Sequence, residues 1–268
     1  MKKDNSQKRG SDYQPHLQVR DVPSQGTVSR IRSCKNERSH HLMSGIESKC
    51  LYIFNWIPNI CDVREQAKLN QEETLAIAKK CGIKHPTDPR TKESVIMTTD
   101  FLITVKGSMG IIDYARSVKP LEKLNPKTRG GKRTLEKLEI ERCYWEARGI
   151  NWAIITEQEI PEVLVQNIEW IYPYLHPDAV LPVAISEISM IYSILTQAVI
   201  QSNDSLAKVA SDCDKVIKLK KGQCLALARY LIAKRKWLVD MNHPVRPEEK
   251  LIFLFPPLKR ISATVMVS

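Results

Sequence analysis

Two apolar runs near the middle of the chain constrain its fold more than any other feature. Val95 to Val105 and Ile111 to Lys119 are rich in strand-forming residues, and only the turn signal Lys106-Gly107-Ser108 separates them. That spacing predicts an antiparallel pair. Around it, helix and strand patterns alternate. Ser44 stands three residues ahead of Glu47, the spacing of a capping box, and Leu51 and Phe54 follow, which predicts a helix over 44–56 stopped by Pro58. Residues 60–65 read as a strand and 72–80 as a helix closed by Gly82. Leu135, Leu138 and Cys143 or Trp145 give helical spacing over 134–149, and 150–156 read as a buried strand. This alternation is that of an α/β layer fold, a mixed sheet flanked by helices.

Both ends of the chain differ from this middle. Residues 1–26 are polar and basic and are interrupted by Pro15, Pro23 and Gly26, so they read as a loosely held arm. A β-hairpin over 27–33 and 40–43 follows, turning at Cys34-Lys35-Asn36-Glu37. Pro173, Pro177 and Pro182 mark a boundary, giving a first domain over 27–172 and a second over 173–268. In the second, helices are expected at 183–202, 204–213 and 219–237, with short strands at 237–240 and 251–255. Three helices followed by a two-stranded ribbon describe a winged helix.

Composition excludes several classes of function. No run of about 18 apolar residues is present and the start lacks a signal-peptide core, so a cytoplasmic protein with no membrane partner is expected. The seven cysteines contain no close pair, which argues against structural zinc and a disulfide framework, and the six histidines are scattered. A net charge of +11 and a pI near 9.3 point to polyanions, nucleic acid first.

Metal-assisted phosphodiester cleavage needs hard oxygen ligands and a nearby cation. Asp100 lies inside the first strand of the central pair, and Ser117-Val118-Lys119 ends the second, so the predicted hairpin lets Asp100 and Lys119 approach one another. A lone aspartate in that place also reads as a strand-end turn residue. An acid on one strand and Ser-Val-Lys on the next resembles the two-strand arrangement of the restriction-endonuclease superfamily.

The resemblance widens over several blocks in order: His40 to Glu47, Gly82 to Pro86, Met97 to Leu102, Ser117 to Pro120, Arg133 to Arg142 and Asn167 to Trp170. Over roughly 12–170 the chain is similar to the TnsA endonuclease subunit of heteromeric Tns-type transposons. The resemblance implies a restriction-endonuclease-like catalytic domain followed by a winged-helix-like one. It also implies cleavage of DNA at the transposon's 5′ ends, in concert with a DDE-type, TnsB-like transposase that cuts the 3′ ends. An AAA+, TnsC-like regulator is implied as a partner of the C-terminal region, with transposon-end DNA as substrate in the bacterial nucleoid.

Carried over, Glu47, Asp100 and the Val118 carbonyl are expected to bind Mg²⁺, with Mn²⁺ able to substitute, and Lys119 matches the catalytic lysine. Ser117 stands where the family has a glutamine and restriction enzymes a carboxylate, which leaves two acids for the metal. A catalytically degenerate DNA-binding assembly factor is therefore the alternative reading. Glu141 matches another family acid, although its charged surroundings also read as a solvated helix face.

Two basic groups complete the expectation. Arg116, Lys123, Lys127, Arg129, Lys132 and Arg133 read either as a solubilising face or, with Gly130 and Gly131, as a mobile lid over 125–132 that grips phosphates. Lys218, Lys220, Lys221, Lys234, Arg235 and Lys236 charge both ends of the helix expected at 219–237. That helix fits a winged-helix recognition element or a surface for an acidic partner.

Overall fold

In a computed structural model that describes residues 8–21, 27–176, 178–179, 183 and 188–255, the central pair forms as the sequence predicts. Strand β1 spans Ser29–Arg32, β2 Ser39–Leu42, β3 Ile60–Lys68, β4 Thr98–Gly107, β5 Gly110–Val118 and β6 Asn151–Ile155. β1 and β2 make the expected hairpin. The other four form one sheet in the order β3-β4-β5-β6, with the β3–β4 and β4–β5 pairs antiparallel and β6 parallel to β5. The sheet is therefore mixed. β6 returns parallel because helix α3, Arg129–Glu146, carries the chain across between β5 and β6.

Helix α1, Gly45–Trp56, packs Phe54 edge-on against Phe101 of β4, with ring centroids 5.3 Å apart. Leu102 and Ala115 instead join Ile140, Tyr144 and Trp145 of α3, together with Ala78 of helix α2, Gln71–Lys80. Helices thus flank the sheet, and the core lies between them and the strands. Among the described residues no helix is long and apolar enough to cross a membrane.

Three expectations in this region need correction. Residues 8–16 are not a loose arm: Tyr13 is buried and donates its hydroxyl to the Glu65 carbonyl, Gly10 N–H donates to Asp62, and Arg9 reaches Asp113. One aromatic and a few polar bonds hold that segment, and they carry no sequence periodicity. Residues 1–7 and 22–26 of the expected arm lie outside the described residues. Nor is 125–132 a loop throughout, because α3 already begins at Arg129, with Thr128 capping it through a bond from Gly131 N–H. Gly131 serves close approach rather than mobility, since a Cβ there would stand 2.0 Å from the Asn125 carbonyl oxygen. Finally, Glu162–Ile171 forms a helix, α4, where the sequence pattern indicated none.

The chain divides into two compact units, 1–160 and 161–268. The division lies upstream of the proline cluster because α4 belongs with the second unit: the Arg229 side chain donates to the Trp170 carbonyl, and Asn167 binds the backbone of Met241, His243 and Val245. Pro177 and Pro182 lie outside the described residues, as does 184–187 at the start of the expected 183–202 helix. Helix α5 spans Ile188–Gln201, α6 Leu206–Ile217 and α7 Gln223–Ala233.

The expected ribbon is reduced to one bridge, Val239 to Phe253, and a bond from Leu254 N–H to Leu238. α7 does not present a solvent-exposed recognition face: seven of its residues, from Cys224 to Ala233, are buried and none is fully exposed. Its cations sit on the flanking turns instead. Lys218, Lys220 and Lys221 are exposed before it, while after it Lys234 donates to the His176 carbonyl and Arg235 adopts a left-handed φ of 55°.

Candidate active site

Ser44 caps α1 by accepting the Glu47 N–H at 3.2 Å, and the Glu47 carboxylate turns back to accept from the Ser44 hydroxyl and the Met43 N–H, both at 2.9 Å. Ser44 thus caps the helix, and the bonds from Met43 and Ser44 fix the buried Glu47 in its first turn. Burial, then the charge of Asp100, pushes the Glu47 carboxyl up to about 7. A carboxylate oxygen retains acceptor capacity beyond one hydrogen bond, so capping and cation binding are compatible in one side chain.

Asp100 projects from β4 toward the end of β5. Its Oδ2 accepts from the Val118 N–H at 2.6 Å and from the Lys119 amine at 2.6 Å, and the same amine donates to the Val118 carbonyl at 2.9 Å. Burial opposes the charge on Lys119, but Asp100 and then Glu141 outweigh it and hold the amine above the usual lysine range. Lys119 is 31 % exposed, so this end of the cluster faces solvent. Gln66, buried in β3 with a left-handed φ of 48°, adds a long contact of 3.4 Å to the other Asp100 oxygen.

Glu141 is not on a solvated face. It is buried, accepts from the Thr99 hydroxyl at 3.3 Å and is bonded by the Ser117 hydroxyl, while burial above all raises its carboxyl to about 7. Trp152 and Trp145 in turn donate to Ser117 and Thr99. The Ser117 hydroxyl therefore holds a further buried acid, Glu141, in place. The sequence did hold a signal: Glu141 falls three residues after Leu138 and four before Trp145, on the apolar stripe of α3, while Glu139 and Glu146 pair with Arg142 on the exposed side.

These groups are hard oxygen donors, as Mg²⁺ or Mn²⁺ requires. The Lys119 ammonium already touches both the Asp100 carboxylate and the Val118 carbonyl, so those two oxygens converge on one cation. Among the described residues no three His, Cys, Asp or Glu side chains form a ready metal cluster.

The basic residues separate into groups. Arg129, Lys132 and Arg133 line one cleft. Lys123 and Lys127 are exposed in the preceding turn. Arg116 is tied to the carbonyls of Ala115 and Asn151 and lies against the Tyr114 ring at the β5–β6 junction. Lys236 donates its backbone N–H to Leu231 in the turn after α7.

Comparison with known proteins identifies the family. The family described as "TnsA-like endonuclease N terminal" matches residues 57–157, and "TnsA endonuclease C terminal" matches 159–241. The chain is also 35 % identical over 233 residues to the Escherichia coli protein "Transposon Tn7 transposition protein TnsA", covering 87 % of this chain and 81 % of that one.

Proposed function

Because the chain belongs to the TnsA family of transposition endonucleases, we propose that it cleaves DNA at the 5′ ends of a transposon in a divalent-metal-dependent reaction. A DDE-type, TnsB-like transposase cuts the 3′ ends, and an AAA+, TnsC-like regulator engages the C-terminal region. The observation that carries this reading is the meeting of the Lys119 amine, the Asp100 carboxylate and the Val118 carbonyl, with Glu47 and Glu141 electrostatically coupled to Asp100.

Glu47, Asp100 and the Val118 carbonyl would hold Mg²⁺, for which Mn²⁺ could substitute. Such an ion, when bound, withdraws charge from the phosphate oxygens and eases ionisation of a neighbouring water. Lys119 brings ammonium charge to the same point. There it steadies the negative charge that builds as the water oxygen bonds to phosphorus and the bond to the leaving ester oxygen breaks. Ser117 and Thr99 hold Glu141 beside Lys119, and Glu141 supplies the third acid. Residues 27–160 carry the chemistry. The second unit, read from sequence as winged-helix-like, offers its cations on the two turns flanking α7 for DNA or an acidic partner surface.

The test is reconstitution with the cognate transposase, regulator and donor DNA. Asp100→Ala and Lys119→Ala are each expected to lower 5′-end cleavage by about 10³-fold or more while 3′-end cleavage continues. Wild-type 5′-end cleavage in both variants would instead assign the chain to assembly alone.

A further inference from the structure

Arg129, Arg133, Lys137 and Glu141 recur at intervals of four along α3, so they form one ridge on its surface, each step advancing about 6 Å along the axis. Glu141 ends this ridge inside the acid cluster. The other three are cations, and Arg129, Lys132, Arg133 and Lys137 line an open cleft of about 500 Å³ whose further lining includes Lys84 and Thr87. Five cations thus face a single acid, Glu136, which is paired with Arg133 at 2.8 Å. The cleft leads toward the site along this ridge, because Lys137 stands one turn of α3 before Glu141, whose carboxylate accepts from Thr99 and Ser117.

The opposite side of the cleft is also fixed in place. His85 is buried, lies 3.1 Å from the Thr74 hydroxyl of α2 and 3.1 Å from the Pro86 carbonyl, while Ile83 N–H donates to Ala78 and Val95 N–H to Pro86. Lys84 therefore projects from an anchored segment, not a free loop. On the α3 side, the contact of Gly131 with Asn125 fixes the first turn. Unbalanced cations on two rigid walls beside a phosphodiester-cleaving centre fit a polyanion whose charges repeat at regular intervals.

We propose that this cleft holds consecutive backbone phosphates of the DNA strand entering the nuclease site, with the Arg129–Arg133–Lys137 ridge aligning the strand toward Asp100 and with Lys84 and Lys132 as further phosphate contacts. The proposal rests on the nuclease reading above and adds a substrate path to it. Phosphate contacts set register and orientation without reading sequence, so the cleft guides whichever end sequence its partners deliver.

The experiment uses the full-length chain and a fluorescein-labelled duplex of roughly 30 base pairs in Ca²⁺, with binding followed by anisotropy from about 50 mM to 200 mM salt. Lys132→Glu/Lys137→Glu is expected to weaken binding on the order of tenfold per reversed charge at the lowest salt. It is also expected to flatten the dependence of log K on log salt by about two. Lys84→Gln gives a smaller change of the same kind. Lys106→Glu, an exposed reversal at the β4–β5 turn, leaves affinity and slope unchanged, and a circular dichroism melt confirms that the variants are folded.

Asp100→Ala separates the two readings, because it removes cleavage while keeping the wild-type slope. Wild-type affinity and slope in the double reversal would overturn the cleft while leaving the nuclease standing. Absence of measurable duplex binding by the wild type at the lowest salt would overturn it as well. Should the reversals spare DNA binding but abolish binding of an acidic peptide from the regulator, the cleft is a protein-docking surface and the proposal fails.

Discussion

Glu65 and Asp100 lie on adjacent strands of one sheet, both nearly sealed from water, yet their surroundings have opposite electrostatic character. Around Glu65 every oxygen is compensated. Arg38 makes two bonds to its carboxylate, one at 2.8 Å, the His41 N–H donates at 3.1 Å, and His40 Nδ1 stands 2.9 Å away. Burial would raise this acid, but the hydrogen bonds from Arg38 and the close approach of His40 outweigh it and hold the carboxyl at about 2. Around Asp100, by contrast, the ammonium of Lys119 is bonded to Asp100, while burial above all, and then the Asp100 charge for Glu47, pushes Glu47 and Glu141 up to about 7. Burial alone therefore does not mark a functional acid. Imbalance does, because a fold has no structural reason to gather like charges away from water unless a cationic ligand or a charged reaction uses them.

Neutralising one acid in each cluster separates a structural acid from a functional one. Glu65→Gln leaves the Arg38 guanidinium, 12 % exposed, without its counter-charge, and is expected to cost about 3–5 kcal/mol in urea denaturation. Asp100→Asn relieves repulsion among acids and is expected to change stability by less than about 1 kcal/mol, although it removes cleavage. Equal losses in the two variants would show that both clusters are structural.

Acid titration probes the balanced cluster on its own. The folded carboxyl of Glu65 lies below its unfolded value near 4.5, so its contribution is present above pH 4.5 and is lost as pH falls toward 2. The shift corresponds to about 3 kcal/mol. Urea midpoints measured across that window should fall steeply for the wild type and more gently for Glu65→Gln. Parallel curves would remove Glu65 as the source.

A smaller effect tests the unbalanced cluster without any DNA. Mg²⁺ at about ten times its dissociation constant should raise unfolding stability by about 1.4 kcal/mol, and Asp100→Asn should abolish the increment while Glu65→Gln retains it. An increment that survives Asp100→Asn would place the ion elsewhere.

How much of this was legible in the sequence follows from the same contrast. Asp100 and Lys119 were readable because two apolar strands joined by a short turn leave little freedom in register, and Glu47 because a capping box is a local pattern. The Glu65 cluster was not readable, since Arg38, His40 and Glu65 meet only once the hairpin docks beside β3, and nothing local in any of the three announces it. The first turn of α3 was hidden by its glycines, which weaken helix propensity where Thr128 and the Asn125 contact restore the turn. α7 misled for the opposite reason: a basic count over 215–237 cannot distinguish cations on a helix from cations on its flanking turns.

Ser117 is where the comparison turns on a single hydroxyl. It lies between the Trp152 indole N–H, which it accepts at 3.1 Å, and the Glu141 carboxylate, to which it donates. Ser117→Ala removes both bonds and leaves Glu141 with the 3.3 Å bond from Thr99. One lost buried bonding group costs about 1–2 kcal/mol, and a Glu141 free to turn predicts roughly a tenfold loss of 5′-end cleavage in the reconstituted reaction. Ser117→Thr retains the hydroxyl and should recover most of that loss if the enlarged side chain is accommodated, whereas Ser117→Ala with full cleavage would reduce Glu141 to a bystander. A third outcome is informative too. If Glu141→Gln and Ser117→Ala each lower cleavage but the pair together lowers it no further, the serine acts through the glutamate, and the neutral residue at 117 is the positioning partner of an acid supplied by α3.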